Sequence, residues 1–117
     1  SPGVQTGVQA MLRVKTGVTP KHLIIAAAVA NTASALELNV TITSGTDGRH
    51  MKGSRHYSSE ALDVRSKNFP DHNSKMLFLS HVLARLGHNY EGMLEFRGKP
   101  QEHFHIEFQP RTTRLRR

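Results

Sequence analysis

Hydrophobic and polar positions recur along this chain with two different periods, and the changes of period mark out its elements. Thr19-Pro20 supplies a hydroxyl cap followed by proline at a first helical position, and Ile25, Val29, Ala33 and Leu36 then recur at helical spacing, which predicts a helix over 20–36. Over 38–43, Leu38, Val40 and Ile42 alternate with Asn39, Thr41 and Thr43, the pattern of a half-buried strand, and Ser44-Gly45-Thr46-Asp47-Gly48 stops it. A short strand is predicted over 61–65, with Leu62 and Val64 on one face and Ala61, Asp63 and Arg65 on the other. Pro70-Asp71 opens a second helix, in which Met76, Leu79, Leu83 and Leu86 form an apolar stripe before Gly87 closes it. Strands over 90–96 and 103–108 follow, joined by a turn around Gly98-Lys99-Pro100. In residues 1–16 the glycines at 3 and 7 limit regular structure, and Met11, Leu12 and Val14 suggest a short helix. Helices and strands segregate, so the predicted class is α+β: two or three helices packed on a small, mainly antiparallel sheet of about four strands.

Length and composition fit that picture. A chain of 117 residues supports one hydrophobic core, so a single domain over 1–117 is expected, with 1–18 as an N-terminal segment and 111–117 as a flexible basic tail. Without cysteine, disulfides and thiolate metal sites are excluded, and a transition metal would have to be held by imidazole and carboxylate. The net charge of +7 points towards a polyanionic partner, but Arg111, Arg114, Arg116 and Arg117 hold four of those charges, which leaves +3 for the body. The tail reads as solvated or as a grip on anionic cell-wall polymers. The longest apolar stretch, 23–40, is interrupted by Asn31, Thr32, Ser34, Glu37 and Asn39, so no membrane span is expected. No charged segment followed by an apolar one opens the chain, so no signal peptide is visible in it.

The candidate chemistry lies in two stretches, 54–63 and 102–105. On a continuous helix His56 and Asp63 would lie about 10 Å apart along the axis, too far for bonds of about 2 Å to one ion, so they require a loop folding back over a strand. His103 and His105 would diverge by about 200° on a helix. On a strand they share a face with Glu107, the two histidine Cα atoms roughly 7 Å apart, while Phe104, Ile106 and Phe108 take the other face. Two imidazoles and one carboxylate make a three-donor zinc set with a fourth position open for water, the arrangement of a catalytic site. Glu102 is the carboxylate best placed by sequence to act as base. Strict alternation, however, puts it on the face opposite His105, so a bend or bulge at Gln101-Glu102 is required.

Ser54-x-His56-x-x-Ser59-x-Ala61-x-Asp63 resembles the Ser-x-His-x-x-Gly-x-Ala-x-Asp signature of the D-alanyl-D-alanine metallopeptidases, zinc peptidases of the hedgehog/DD-peptidase fold. Glu102-His103-x-His105 is similar to their second signature, and Val40-Thr41-Ile42-Thr43-Ser44-Gly45 to the strand and turn leading into the site. The resemblance extends from about residue 20 to 110. It implies one zinc ion held by His56, Asp63 and His105, with Glu102 as general base and His103 as a supporting or transition-state group. It further implies that Ser54 and Arg55 contact substrate and that Arg49 stabilises the oxyanion, with Arg55 and Lys52 as rivals for that role. The implied activity is hydrolysis of peptidoglycan stem peptides by attack of a zinc-bound water, either as an endopeptidase of the L-alanyl-D-glutamate type or as a D,D-carboxypeptidase. The protein would act at the cell wall as a monomer, released as a phage endolysin is or made with a leader since removed, and nucleic acid is not an expected partner. The alternatives are a basic module binding cell wall or nucleic acid, and a pseudoenzyme with a structural metal. Ser59 departs from the signature glycine, and the arginine that family members often carry soon after the Ser-Gly turn falls late here, at Arg49.

Overall fold

The fold is α+β, with two helices packed on a five-stranded mixed sheet. The computed structural model describes residues 11–15, 22–44 and 61–110, with the backbone alone at Met11 and Ser44. In chain order the elements are β1 (Met11–Val14), α1 (Leu23–Leu36), β2 (Asn39–Ser44), β3 (Ala61–Arg65), α2 (His72–Leu86), β4 (Tyr90–Glu95) and β5 (His103–Phe108). Across the sheet the order is β1-β2-β3-β5-β4. β1 runs parallel to β2, and the other three pairings are antiparallel. β5 therefore lies between β3 and β4, and Asp63 meets the 102–105 stretch at its junction with β3.

The short helix expected near Met11 is instead an edge strand. Leu12 and Val14 alternate with Arg13 and Lys15, a period of two, and the segment gains its hydrogen bonds from β2, ending with Lys15 N–H donating to the Ile42 carbonyl (2.9 Å). α1 starts at Leu23, and the expected Thr19-Pro20 start lies outside the described residues. Its end is set by Glu37, whose left-handed conformation (φ 57°) lets the backbone close on Ala33 and Ser34 before β2 begins. α2 opens on a reciprocal cap. Asp71 accepts from Ser74 N (2.7 Å), and Asp71 N donates to Ser74 Oγ (3.3 Å). Among the described residues no helix is long and apolar enough to cross a membrane.

The core fills the space between the helices and one face of the sheet. Val40, Ile42, Leu62, Val64, Phe104 and Ile106 rise from the strands to meet Ile25, Val29, Phe78 and Val82 from the helices. In α2 the buried stripe is Phe78, Leu79 and Val82, and Met76, Leu83 and Leu86 flank it. The helix is turned this way because Phe78 packs with Phe69 and Phe104, their ring centroids 5.1 to 5.2 Å apart. Phe104→Ala is therefore expected to destabilise the protein by about 4 kcal/mol through loss of burial and a residual cavity. A urea midpoint close to that of the unsubstituted chain would contradict this packing.

Candidate functional site

Alternation places a second set of side chains on the sheet face away from the helices. Asp63 stands directly opposite His105, Arg65 opposite His103, and Ala61 opposite Glu107. On the other flank of β5, His103 faces Glu95, His105 faces Met93, and Glu107 faces Glu91. Cross-strand partners share a face, so four carboxylates from three strands and two imidazoles lie together on it.

Asp63 and His105 are in contact, with Oδ1 to Nδ1 at 2.9 Å. The other nitrogen of His105 lies 2.7 Å from Glu107 Oε1, and Gln109 Nε2 donates to Glu107 Oε2 (2.7 Å). Burial, the largest influence on His105, lowers its pKa. The hydrogen bonds to Asp63 and Glu107, aided by the charges of Asp63 and Glu95, outweigh it and push the pKa up to about 10. His105 thus holds a positive charge between two carboxylates, in a position that favours a cation. Two donors about 2 Å from one tetrahedral ion stand ~3.3 Å apart, close to the observed Asp63 to His105 separation. With an ion between them, Glu107 would orient the imidazole from behind, as carboxylates do at histidine metal sites. Among the described residues no group of three or more His, Cys, Asp or Glu side chains is arranged to hold a metal. Asp63 and His105 are two of the three expected donors. The third, His56, lies outside the described residues, as do Arg49, Ser54 and Arg55.

His103 stands beside this pair. Its Nδ1 donates to the Gln101 carbonyl (2.9 Å), and its Nε2 lies 2.8 Å from Glu95 Oε1 and 3.7 Å from Asp63 Oδ2. Phe96 packs against the ring, with centroids 5.9 Å apart. Glu95, about a third exposed, is a carboxylate of this face that sequence reasoning missed. The signal was present in β4, where Glu91, Met93 and Glu95 alternate with Tyr90, Gly92 and Leu94, but only the hairpin register sets Glu95 opposite His103.

Glu102 is placed differently from the expectation. β5 pairs in continuous register from His103 onward, and the bend expected at Gln101-Glu102 is present as the turn before it, closed by Glu102 N–H donating to the Lys99 carbonyl (3.0 Å). The Glu102 side chain nevertheless turns to Lys75 of α2. Its Oε1 accepts from Lys75 Nζ (2.6 Å) and Ser66 Oγ (2.6 Å), and its Oε2 accepts from Gly98 N–H (2.9 Å). Lys75, then Ser66, then Gly98 hold its pKa down at about 2 against the opposing effect of burial. The residue lines a hollow of about 240 Å³ together with Asp63, His103 and Arg65, but its carboxylate is committed to three donors.

Because the folded-state pKa of Glu102 is lowered, its contribution to stability is complete above the unfolded value near 4.5 and is lost as pH falls towards about 2. Lys75→Met is expected to be less stable at neutral pH and to show a weaker loss of stability across that acid window. Circular dichroism during acid and urea titration would check this, and an unchanged acid profile in Lys75→Met would contradict it.

Comparison of the chain with protein-family models and with curated proteins finds no match.

Proposed function

We propose that this chain is a zinc-dependent peptidase that hydrolyses peptidoglycan stem peptides, with His56, Asp63 and His105 as donors to one zinc ion. The observation that carries the reading is the cross-strand contact of Asp63 with His105, backed by Glu107 and flanked by His103 and Glu95 on the same face. Zinc bound there would act as a Lewis acid and bring the pKa of water towards about 7. The chain's own groups then handle the protons and the developing charge. Glu95 is assigned as the base that takes the proton of the attacking water and returns it to the leaving amine, since its carboxylate lies on the donor face while that of Glu102 is held by Lys75 and Ser66. His103, fixed by Gln101 and Glu95, is poised at the hollow where the substrate oxygen gains charge. Glu102 anchors the turn that presents His103. Arg49 as oxyanion partner and Ser54 and Arg55 as substrate contacts complete the assignment.

The bond cleaved is an L-alanyl-D-glutamate bond or a terminal D-alanine bond. The first fits a lytic enzyme acting at the cell wall and drawn to it by its positive charge. Zinc titration of the metal-stripped protein by calorimetry tests the metal half of this reading. One tightly held ion per chain is expected, and an absence of zinc binding by the folded protein would sink it.

A further inference from the structure

The face that carries Asp63 and His105 is divided by charge. Its β4–β5 half holds Glu91, Glu95 and Glu107, whereas its β1–β3 half, apart from Asp63 of the candidate site itself, holds Arg13, Lys15 and Arg65, with Lys67 just beyond β3. Arg13 pairs across the sheet with Thr41, and Arg65 with His103, so the cationic row runs up to the edge of the candidate site. A hollow of about 470 Å³ lined by Arg13, Val14, Lys15, Thr41 and Arg65 adjoins the hollow of about 240 Å³ that Arg65 and Lys67 share with Asp63 and His103. Arg65 lines both. Lys75 is neutralised by Glu102, but among the described residues no carboxylate pairs with Arg13, Lys15, Arg65 or Lys67.

Four cations with no counter-ion among the described residues line one groove and lower the free energy of an anion that settles among them, and the two arginines can each grip a carboxylate through two parallel hydrogen bonds. Their spacing sets the size of the ligand. Along β3, Arg65 is about 7 Å from Asp63, and β1 lies about 10 Å from β3 across the sheet. An extended peptide advances about 3.3 Å per residue, so these distances match carboxylates two and three residues from a bond held at Asp63 and His105. A nucleic acid or wall polymer would need a longer run of cations than this short row provides.

We propose that the Arg13–Lys15–Arg65–Lys67 row is a carboxylate-binding subsite that selects acidic peptides over their amidated counterparts. The proposal rests on the peptidase reading for its function, but the subsite binds whether or not the bond is cut.

The test uses two synthetic stem tetrapeptides, one with every carboxylate free and one fully amidated, and the full chain in unsubstituted, Arg65→Lys and Arg13→Gln/Arg65→Gln forms. With zinc-loaded protein, kcat/KM for the free acid should exceed that for the amide at least about tenfold, a ratio typical of one good charge-assisted contact. The double variant should reduce the ratio to about threefold or less, and Arg65→Lys, which keeps the charge but loses the two-pronged grip, should fall between the two. Calorimetric titration of metal-stripped protein should show the same preference in Kd, weakening as salt is raised. If both peptides are hydrolysed alike and bound alike, the subsite is refuted and the peptidase reading stands. If neither is hydrolysed while the binding preference and its loss in the double variant persist, the subsite stands and the peptidase reading fails. Tighter binding of duplex DNA than of the free-acid peptide at equal salt would overturn the proposal in favour of a nucleic-acid surface.

Discussion

Asp63→Ala is expected to abolish tight zinc binding and peptide hydrolysis together, while leaving the fold intact. Asp63 meets His105 through its side chain, whereas β3 is held to β5 by backbone pairing from Ala61 to Arg65 and by Leu62 and Val64 in the core. Removing the carboxylate therefore takes away a donor without opening a cavity in the core. The loss of zinc affinity should exceed that of Glu107→Gln, for which roughly 10–100-fold is expected because Glu107 only orients His105 from behind. Metal content after dialysis, read beside circular dichroism, checks both variants. An Asp63→Ala protein that keeps its zinc would show that the ion is bound elsewhere.

The second large effect separates two glutamates. Glu95→Gln should retain zinc and lose at least about a hundredfold in kcat, since a general base contributes on that scale. Glu102→Gln should instead lose about 2 kcal/mol of stability, because the Lys75 ammonium would face a neutral amide in a mostly buried setting. Its rate, measured where the variant is folded, should fall less than about tenfold. Urea unfolding and steady-state kinetics on the two variants decide the matter. The reverse pattern, with Glu102→Gln stable but inactive and Glu95→Gln active, would return the base to Glu102.

These two glutamates also show where the sequence was legible and where it was not. Alternation in His103–Phe108 correctly separated His103, His105 and Glu107 from the core residues Phe104 and Ile106, and the same alternation placed Asp63 away from Leu62 and Val64. Local pattern sufficed because a strand's two faces are a local property. The partnership of Asp63 with His105 was expected, and the cross-strand register supplies it. Glu95 was missed because its tie to His103 is a matter of hairpin register, which a turn running from Phe96 through Glu102 does not reveal in advance. The bend expected at Gln101-Glu102 is present as the turn before β5, but what that turn does with the Glu102 carboxylate depends on Lys75 and Ser66, distant in sequence. β1 was misread for a related reason: its hydrogen bonds come from β2, far along the chain, and four residues carry too little pattern to announce such a pairing. In α2 the helix itself was legible, whereas its rotation followed from the Phe69, Phe78 and Phe104 contacts.

The central claim is that the Asp63 and His105 pair serves metal-dependent cleavage of a peptidoglycan peptide, and mass spectrometry of purified peptidoglycan incubated with the protein tests it most directly. With zinc, the digest should contain new amino termini at D-glutamate or should lose terminal D-alanine. A chelator should prevent this, and added zinc should restore it. Peptidoglycan left unchanged by folded, zinc-loaded protein would contradict the account, as would cleavage that persists undiminished in the presence of chelator.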